Sequence, residues 1–231
     1  MEPRDYLAQA GLTLSERSVQ DGRTKLWDML EEVRKASIPA TPHALNRLYT
    51  FQVPKLSADG TCSLINELEP TPFDLANVLG GKSMRSTLSL MVLGGFVESA
   101  VRHTNLDWLG VYQVRQLDTG RSLVKLASRG APSRAQFPLT DEFAQRSNNV
   151  AVALSGKARV IPDVEAHVKA GGAYYECNST VRSEACLPIF DRAGTIVGVV
   201  DAEHSKPNAF DDATLGWVVA IACEAASHLP A

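Results

Sequence analysis

Residues 184–203 carry the pattern that most constrains how this chain folds. EACLPIF and TIVGVVDAE are two apolar, β-branched runs joined by Asp191-Arg192-Ala193-Gly194. A four-residue link ending on glycine between two such runs marks an antiparallel hairpin. Successive strand residues face opposite ways, so Glu184, Cys186 and Pro188 share one face of the first run, and Asp201 and Glu203 share one face of the second.

Other elements follow from periodicity. LDWLGVYQV (106–114), SLVKLAS (122–128) and ARVI (158–161) read as strands, and Thr140 to about Ser155 as one capped helix. Ser15 to Ala36 is an amphipathic helix with Val19, Leu26, Leu30 and Val33 on its apolar stripe. Thr41 before Pro42 opens a short helix to about Tyr49, residues 54–81 read as a connecting region, and Ser83 to His103 as a helix buried on most sides. Asp211 to Leu229 closes the chain as a helix. Helices, then an antiparallel sheet, then a helix give an α+β fold. It divides into a helical extension (1–80) and a sheet domain (81–231).

Composition excludes several function classes. Hydrophobic residues make 45% and charged residues 21% of 231, which is ordinary for a globular chain and not for a disordered one. The net charge of -3 supplies no basic surface for a phosphate backbone, so no nucleic-acid partner is expected. The most apolar stretch, 88–101, contains two glycines and Glu98 and is too short for a bilayer. The opening MEPRDYLAQAG holds acids and no apolar core, unlike a secretory signal. Cys62, Cys177, Cys186 and Cys223 form no CxxC pair, so neither a zinc site nor a disulfide scaffold is expected. Reduced thiols in the cytoplasm fit this usage.

On the first strand Trp108, Gly110 and Tyr112 share a face. If that face adjoins Glu184, Asp201 and Glu203, two aromatic rings and three carboxylates converge. Such a site suits a ligand with an ammonium, or a polar group that needs a proton. The alternative is a core Trp108 with acids facing water at the strand ends. Cys177 sits in the loop-like GGAYYECNSTVRSE, as a bystander or as a nucleophile. Arg182 would lower its pKa and Glu176 would raise it. Cys186, nine residues on, shares the face of Glu184 and would meet Cys177 if the loop folds back. Cys62 sits in the connecting region, Cys223 in an apolar helix, and residues 1–80 hold no convergent polar set.

From about residue 84 to 229 the chain resembles the GAF domain, and within it the free methionine-(R)-sulfoxide reductases. The resemblance is carried by Asp107-Trp108-Leu109-Gly110-Val111-Tyr112, Val160-Ile161-Pro162-Asp163-Val164, Glu176 through Glu184, Gly198-Val199-Val200-Asp201-Ala202-Glu203 and Phe210-Asp211-Asp212. It implies a GAF-like sheet flanked by helices and a reductase of free methionine-(R)-sulfoxide. Cys177 matches the family's catalytic cysteine, Trp108 and Tyr112 its aromatic wall, and Glu184, Asp201 and Glu203 its substrate-holding acids. Asp201 and Glu203 also serve catalysis, and Cys186 stands as the second thiol. No bound cofactor is implied, and thioredoxin is the implied electron donor.

Two departures stand out. The third acid is Glu203 rather than aspartate, and Gln145 to Val150 holds none of the family's usual resolving cysteines. The competing function is a non-catalytic GAF module that binds a small molecule for signalling. A bilin version is disfavoured, because Cys177 is followed by Asn178 and not histidine. GAF domains often pair through terminal helices, so the stripe from Val19 to Val33 either forms a homodimer or packs on its own domain.

Overall fold

The computed structural model describes residues 1–35, 41–57, 61–62, 67–175 and 178–231, without the side chains of 32–34. α1 (Pro3–Ala10) starts on a proline in its first turn and ends at Gly11, whose φ of 73° is left-handed. It went unread in the sequence because eight residues carry too little periodicity. α2 (Glu16–Lys35) follows. α3 (Pro42–Tyr49) is capped by Thr41, whose hydroxyl accepts from the Ala44 amide at 3.2 Å.

The connecting region is more ordered than its composition suggests. β1 (Thr50–Phe51) pairs with β2 (Phe73–Asp74), and α4 (Leu75–Val78) follows. Between the two strands the backbone bridges Pro54 to Leu68 and Leu56 to Cys62, forming a narrow ribbon. α5 (Met84–Thr104) opens with a capping box in which the Ser83 and Ser86 hydroxyls each accept the other's backbone N–H. It is less buried than its composition predicts, since Met84 and Leu88 are exposed.

The remaining elements build the main sheet. In chain order they are β3 (Trp108–Leu117), β4 (Gly120–Arg129), β5 (Gln136–Pro138), α6 (Asp141–Ala144), α7 (Asn148–Ser155), β6 (Arg159–Ile161), α8 (Val164–Lys169), β7 (Ser183–Phe190), β8 (Ile196–His204) and α9 (Asp212–Ala225). Six strands lie in the order β5-β4-β3-β8-β7-β6, every neighbour antiparallel. The β7–β8 turn is closed by Asp191, whose carboxylate accepts from the Ala193 and Thr195 amides, with Gly194 at φ 80°.

Alternation divides the sheet. Leu109, Val111, Ala185, Leu187, Ile189, Val200 and Ala202 face one layer, packed under α1, α2, α5 and α9. Trp108, Tyr112, Cys186 and Val199 face the other, packed with Phe137, Phe143 and Val150. The described part of the α2 stripe packs within the chain, and the Val33 side chain lies outside the described residues. Val19, Leu26 and Leu30 are buried, and α2 crosses α9 where a Cβ on Gly216 would come within 2.6 Å of the Ser18 carbonyl. Each such buried aliphatic side chain contributes about 1.5–3 kcal/mol.

The predicted single helix from Thr140 to Ser155 is two. Thr140 caps α6, and Ser147 caps α7 by accepting from the Val150 amide. Three residues that favour caps over helix interiors, Ser147, Asn148 and Asn149, end one helix and begin the next.

Candidate functional site

β8 lies between β3 and β7, so its register decides what meets what. Trp108 stands opposite Glu203 and Gly110 opposite Asp201, while on the other side Glu184 stands opposite Glu203 and Cys186 opposite Asp201. Directly paired residues hold their Cβ atoms about 4.5–5.5 Å apart on one face. The three acids and the two aromatic rings accordingly line one narrow cavity of about 20 Å³. Ser147, Asn148 and Asn149 from the start of α7, with Ser133, Phe137 and Tyr175, close the remaining walls.

The aromatic wall is fixed from beneath and from the side. The Trp108 indole lies across Gly110, where a Cβ would come within 2.3 Å of the ring, so a side chain there would displace it. Its Nε1–H donates to the Ala131 carbonyl at 3.1 Å, and the Tyr112 hydroxyl donates to the Arg134 carbonyl at 3.1 Å. The register shifts between Val111 and Tyr112, which sets Lys125 directly opposite Tyr112. Lys125 is 1% exposed and donates to the Ser133 carbonyl and hydroxyl at 2.8 and 2.9 Å. Three side chains of β3 and β4 thus pin the 131–134 loop against the cavity.

Asn148 and Asn149 are site residues that the sequence reading did not single out. Asn148 Nδ2 donates to Glu184 Oε1 at 2.9 Å, and Asn149 Nδ2 donates to Asp201 Oδ2 at 2.9 Å. The available signal was the run of three cap formers inside a helical stretch. Asn148 Oδ1 and Asp201 Oδ1 are buried without a hydrogen-bond partner, an expensive arrangement unless a ligand supplies donors.

The acids do not behave as surface carboxylates. Burial raises the Glu184 pKa, partly offset by hydrogen bonds from Tyr174 and Asn148. Burial, then the charges of Glu184 and Glu203, push Asp201 well above the usual range. Glu203, at the partly exposed edge, is pushed up to about 8 by desolvation, then by Glu184 and Cys62, against Lys125. Burial and the mutual repulsion of like charges both favour the neutral form of each carboxyl over its charged form. Among the described residues no group of His, Cys, Asp and Glu is arranged to hold a metal ion.

The cysteines fall into distinct settings. Cys177, with Glu176, lies outside the described residues. Cys186 is fully buried beneath Asn149, donating its thiol to Asn149 Oδ1 at 3.0 Å, and burial with Asp201 and Glu184 holds its pKa well above the usual value. Arg182, proposed to activate Cys177, is exposed, and its guanidinium donates to the Ser179 and Val181 carbonyls. Cys223 is a core residue of α9, with burial pushing its pKa up to about 12. Cys62 Sγ comes within 3.6 Å of the Tyr175 hydroxyl.

The GAF domain family matches residues 91–229. The chain belongs to the GAF domain family. Among curated relatives, GAF domain-containing protein A of Dictyostelium discoideum is 32% identical over 108 residues, which is 47% of this chain and 60% of that protein. The chain thus spans less than two thirds of that relative. Among solved structures, the type II free methionine-R-sulfoxide reductase from Thermoplasma acidophilum is 18% identical with a TM-score of 0.53, covering 62% of this chain and 94% of that one. The GAF domain of the Acinetobacter phosphoenolpyruvate-protein phosphotransferase is 13% identical with a TM-score of 0.50, covering 66% and 86%. At these identities the likenesses show the fold alone. They agree with the six-stranded antiparallel GAF sheet flanked by helices.

Proposed function

We propose that this GAF domain reduces free methionine-(R)-sulfoxide to methionine, with Cys177 as the nucleophile. The observation that carries the reading is the convergence of Glu184, Asp201 and Glu203, with raised pKa values, on a cavity walled by Trp108 and Tyr112. A sulfoxide is a poor electrophile until its oxygen is protonated. Neutral carboxyls in a water-poor cavity are suited to give that proton. The aromatic rings take the apolar methylthio end, and the unpartnered oxygens of Asn148 and Asp201 suit the α-ammonium of a free amino acid.

In this mechanism the Cys177 thiolate attacks the sulfoxide sulfur while a carboxyl of the cluster protonates the oxygen. The oxygen passes to Cys177 as a sulfenic acid, and methionine leaves as a thioether. A second thiol then condenses with the sulfenic acid, and thioredoxin, in the reducing cytoplasm, returns both thiols. The likeness in fold to a free methionine-R-sulfoxide reductase, and the sequence resemblance at Cys177, Glu184 and Asp201, support the assignment.

The test couples NADPH, thioredoxin reductase and thioredoxin to the full chain with free methionine-(R)-sulfoxide. NADPH oxidation that is lost in Cys177→Ser supports the reading. Tight binding of the sulfoxide without methionine release would instead make the chain a small-molecule-binding GAF module.

A further inference from the structure

β4 carries a lysine where its alternation calls for an apolar residue. Leu123 is buried in the layer on the cavity side, and Lys125, two residues on and on the same face, is 1% exposed. A buried ammonium is costly unless its surroundings replace water. Here two distant parts of the chain do so. The Ser133 carbonyl and hydroxyl accept from Nζ at 2.8 and 2.9 Å, and the centroid of the Phe51 ring stands 5.4 Å from Nζ.

Phe51 lies in β1, well before residue 91, where the GAF match begins. Its ring stacks on Phe73 of β2, with centroids 6.1 Å apart and planes 10° from parallel. Val53, Pro54, Leu56 and Phe73 share a second cavity with Arg134, Ala135 and Gln136. This N-terminal ribbon therefore meets both the ammonium and the segment that the ammonium holds.

That segment supports the aromatic wall. The Ala131 and Arg134 carbonyls accept from the Trp108 indole and the Tyr112 hydroxyl, and Ser133, between them, lines the cavity itself. Lys125 holds the segment twice, since its backbone amide also donates to the Ala135 carbonyl at 2.8 Å. Its charge reaches the acids as well, where it opposes the rise of the Glu203 pKa.

We infer that Lys125 is a positioning residue for the Trp108–Tyr112 wall and that Phe51 holds its ammonium in place, so that the segment before the GAF domain completes the cavity. This role is independent of which ligand the cavity takes. Packing alone does not call for a charge at this position, because exchanging a buried charge for an apolar side chain of similar volume often leaves stability unchanged or raises it. Ser133 is part-exposed, so water is able to satisfy its oxygens once the ammonium is gone. An apolar side chain cannot donate to those oxygens, so the loop loses its fixed position while the core stays intact.

The test follows hydrogen exchange of the Trp108 indole N–H by NMR in the full chain, with titration of free methionine-(R)-sulfoxide as a second readout. Lys125→Met is expected to keep the wild-type urea midpoint, to speed indole exchange roughly tenfold and to weaken sulfoxide binding by a similar factor. Phe51→Ala is expected to speed indole exchange in the same direction, and Phe51→Tyr, which keeps a ring face for the ammonium, to leave it as in the wild type. Phe51→Ala is expected to add nothing in the Lys125→Met background, because the ring acts through the ammonium. Unchanged indole exchange in Lys125→Met, a fall in urea midpoint that accounts for the faster exchange, or effects of the two substitutions that add in full overturns the inference. If Lys125→Met does not fold, the Phe51 pair decides, and equal protection in Phe51→Ala and Phe51→Tyr overturns it. A wild-type chain that binds no sulfoxide overturns the proposed reduction, while the indole readout still decides the role of Lys125.

Discussion

Asn149 donates through Nδ2 to the Asp201 carboxylate at 2.9 Å and accepts, through Oδ1, the thiol hydrogen of Cys186 at 3.0 Å. The relationship joins two directly paired strand residues through the first turn of a helix. It occupies Oδ2 of Asp201, leaves Oδ1 without a partner, and gives the buried Cys186 thiol an acceptor for its proton.

Removing this bridge leaves buried groups unpaired. Asn149→Ala is expected to cost about 1–3 kcal/mol of stability, the penalty for an unsatisfied buried polar group. Urea denaturation against the wild type measures it. The same variant is expected to raise alkylation of Cys186 under native conditions, because the thiol loses its acceptor and its cover.

The acid cluster predicts how stability varies with pH. Glu203 is pushed from 4.5 to about 8 on folding, and Glu184 and Asp201 shift in the same direction. Between those two values the folded chain holds protons that the unfolded chain has released. Glu203 therefore contributes its full stability below about pH 4.5 and loses it as pH rises through about 8, and Glu184 and Asp201 act in the same direction. Thermal melts of the ligand-free chain from pH 5 to 9 are expected to fall along this window, and Glu203→Gln to flatten the slope.

The same protons are those the proposed chemistry uses. Asp201→Asn removes a proton donor while keeping shape, and is expected to lower the single-turnover rate of methionine release by about 10²-fold or more. In the wild type that rate is expected to decline as pH rises past about 8, where Glu203 gives up its proton. A single-turnover pH profile compares the two.

Gly110 is expected to tolerate no side chain. Gly110→Ala sets a Cβ within 2.3 Å of the Trp108 ring, so the indole must move and its hydrogen bond to Ala131 must break. The expected result is a shifted tryptophan emission spectrum. Sulfoxide binding should weaken by roughly tenfold, equivalent to about 1.4 kcal/mol.

Docking of the first helices onto the sheet domain has its own weak point. Gly216→Leu is expected to cost about 1–3 kcal/mol by overpacking, because α9 approaches the Ser18 backbone of α2 within the width of one side chain. The chemical-denaturation midpoint reads the loss, while methionine release per folded chain is expected to persist.

The sequence alone determined whatever depends on local pattern. Strand alternation placed Glu184, Asp201 and Glu203 on one side of their runs, and the four-residue turn between Phe190 and Thr195 brought those runs together. The cap at Thr41, the start of α5 near Ser83 and the apolar stripe of α2 were readable for the same reason: each is set by residues within a few positions of one another. Only tertiary structure decided which strands flank β8, and hence that Trp108 meets Glu203 while Cys186 meets Asp201. It alone turned Asn148 and Asn149 from helix interior to site, by setting the α6–α7 break against the acids. It alone carried Cys62 to Tyr175, 113 residues away in the chain. Contacts at that separation follow from how whole layers pack, and no local propensity encodes them.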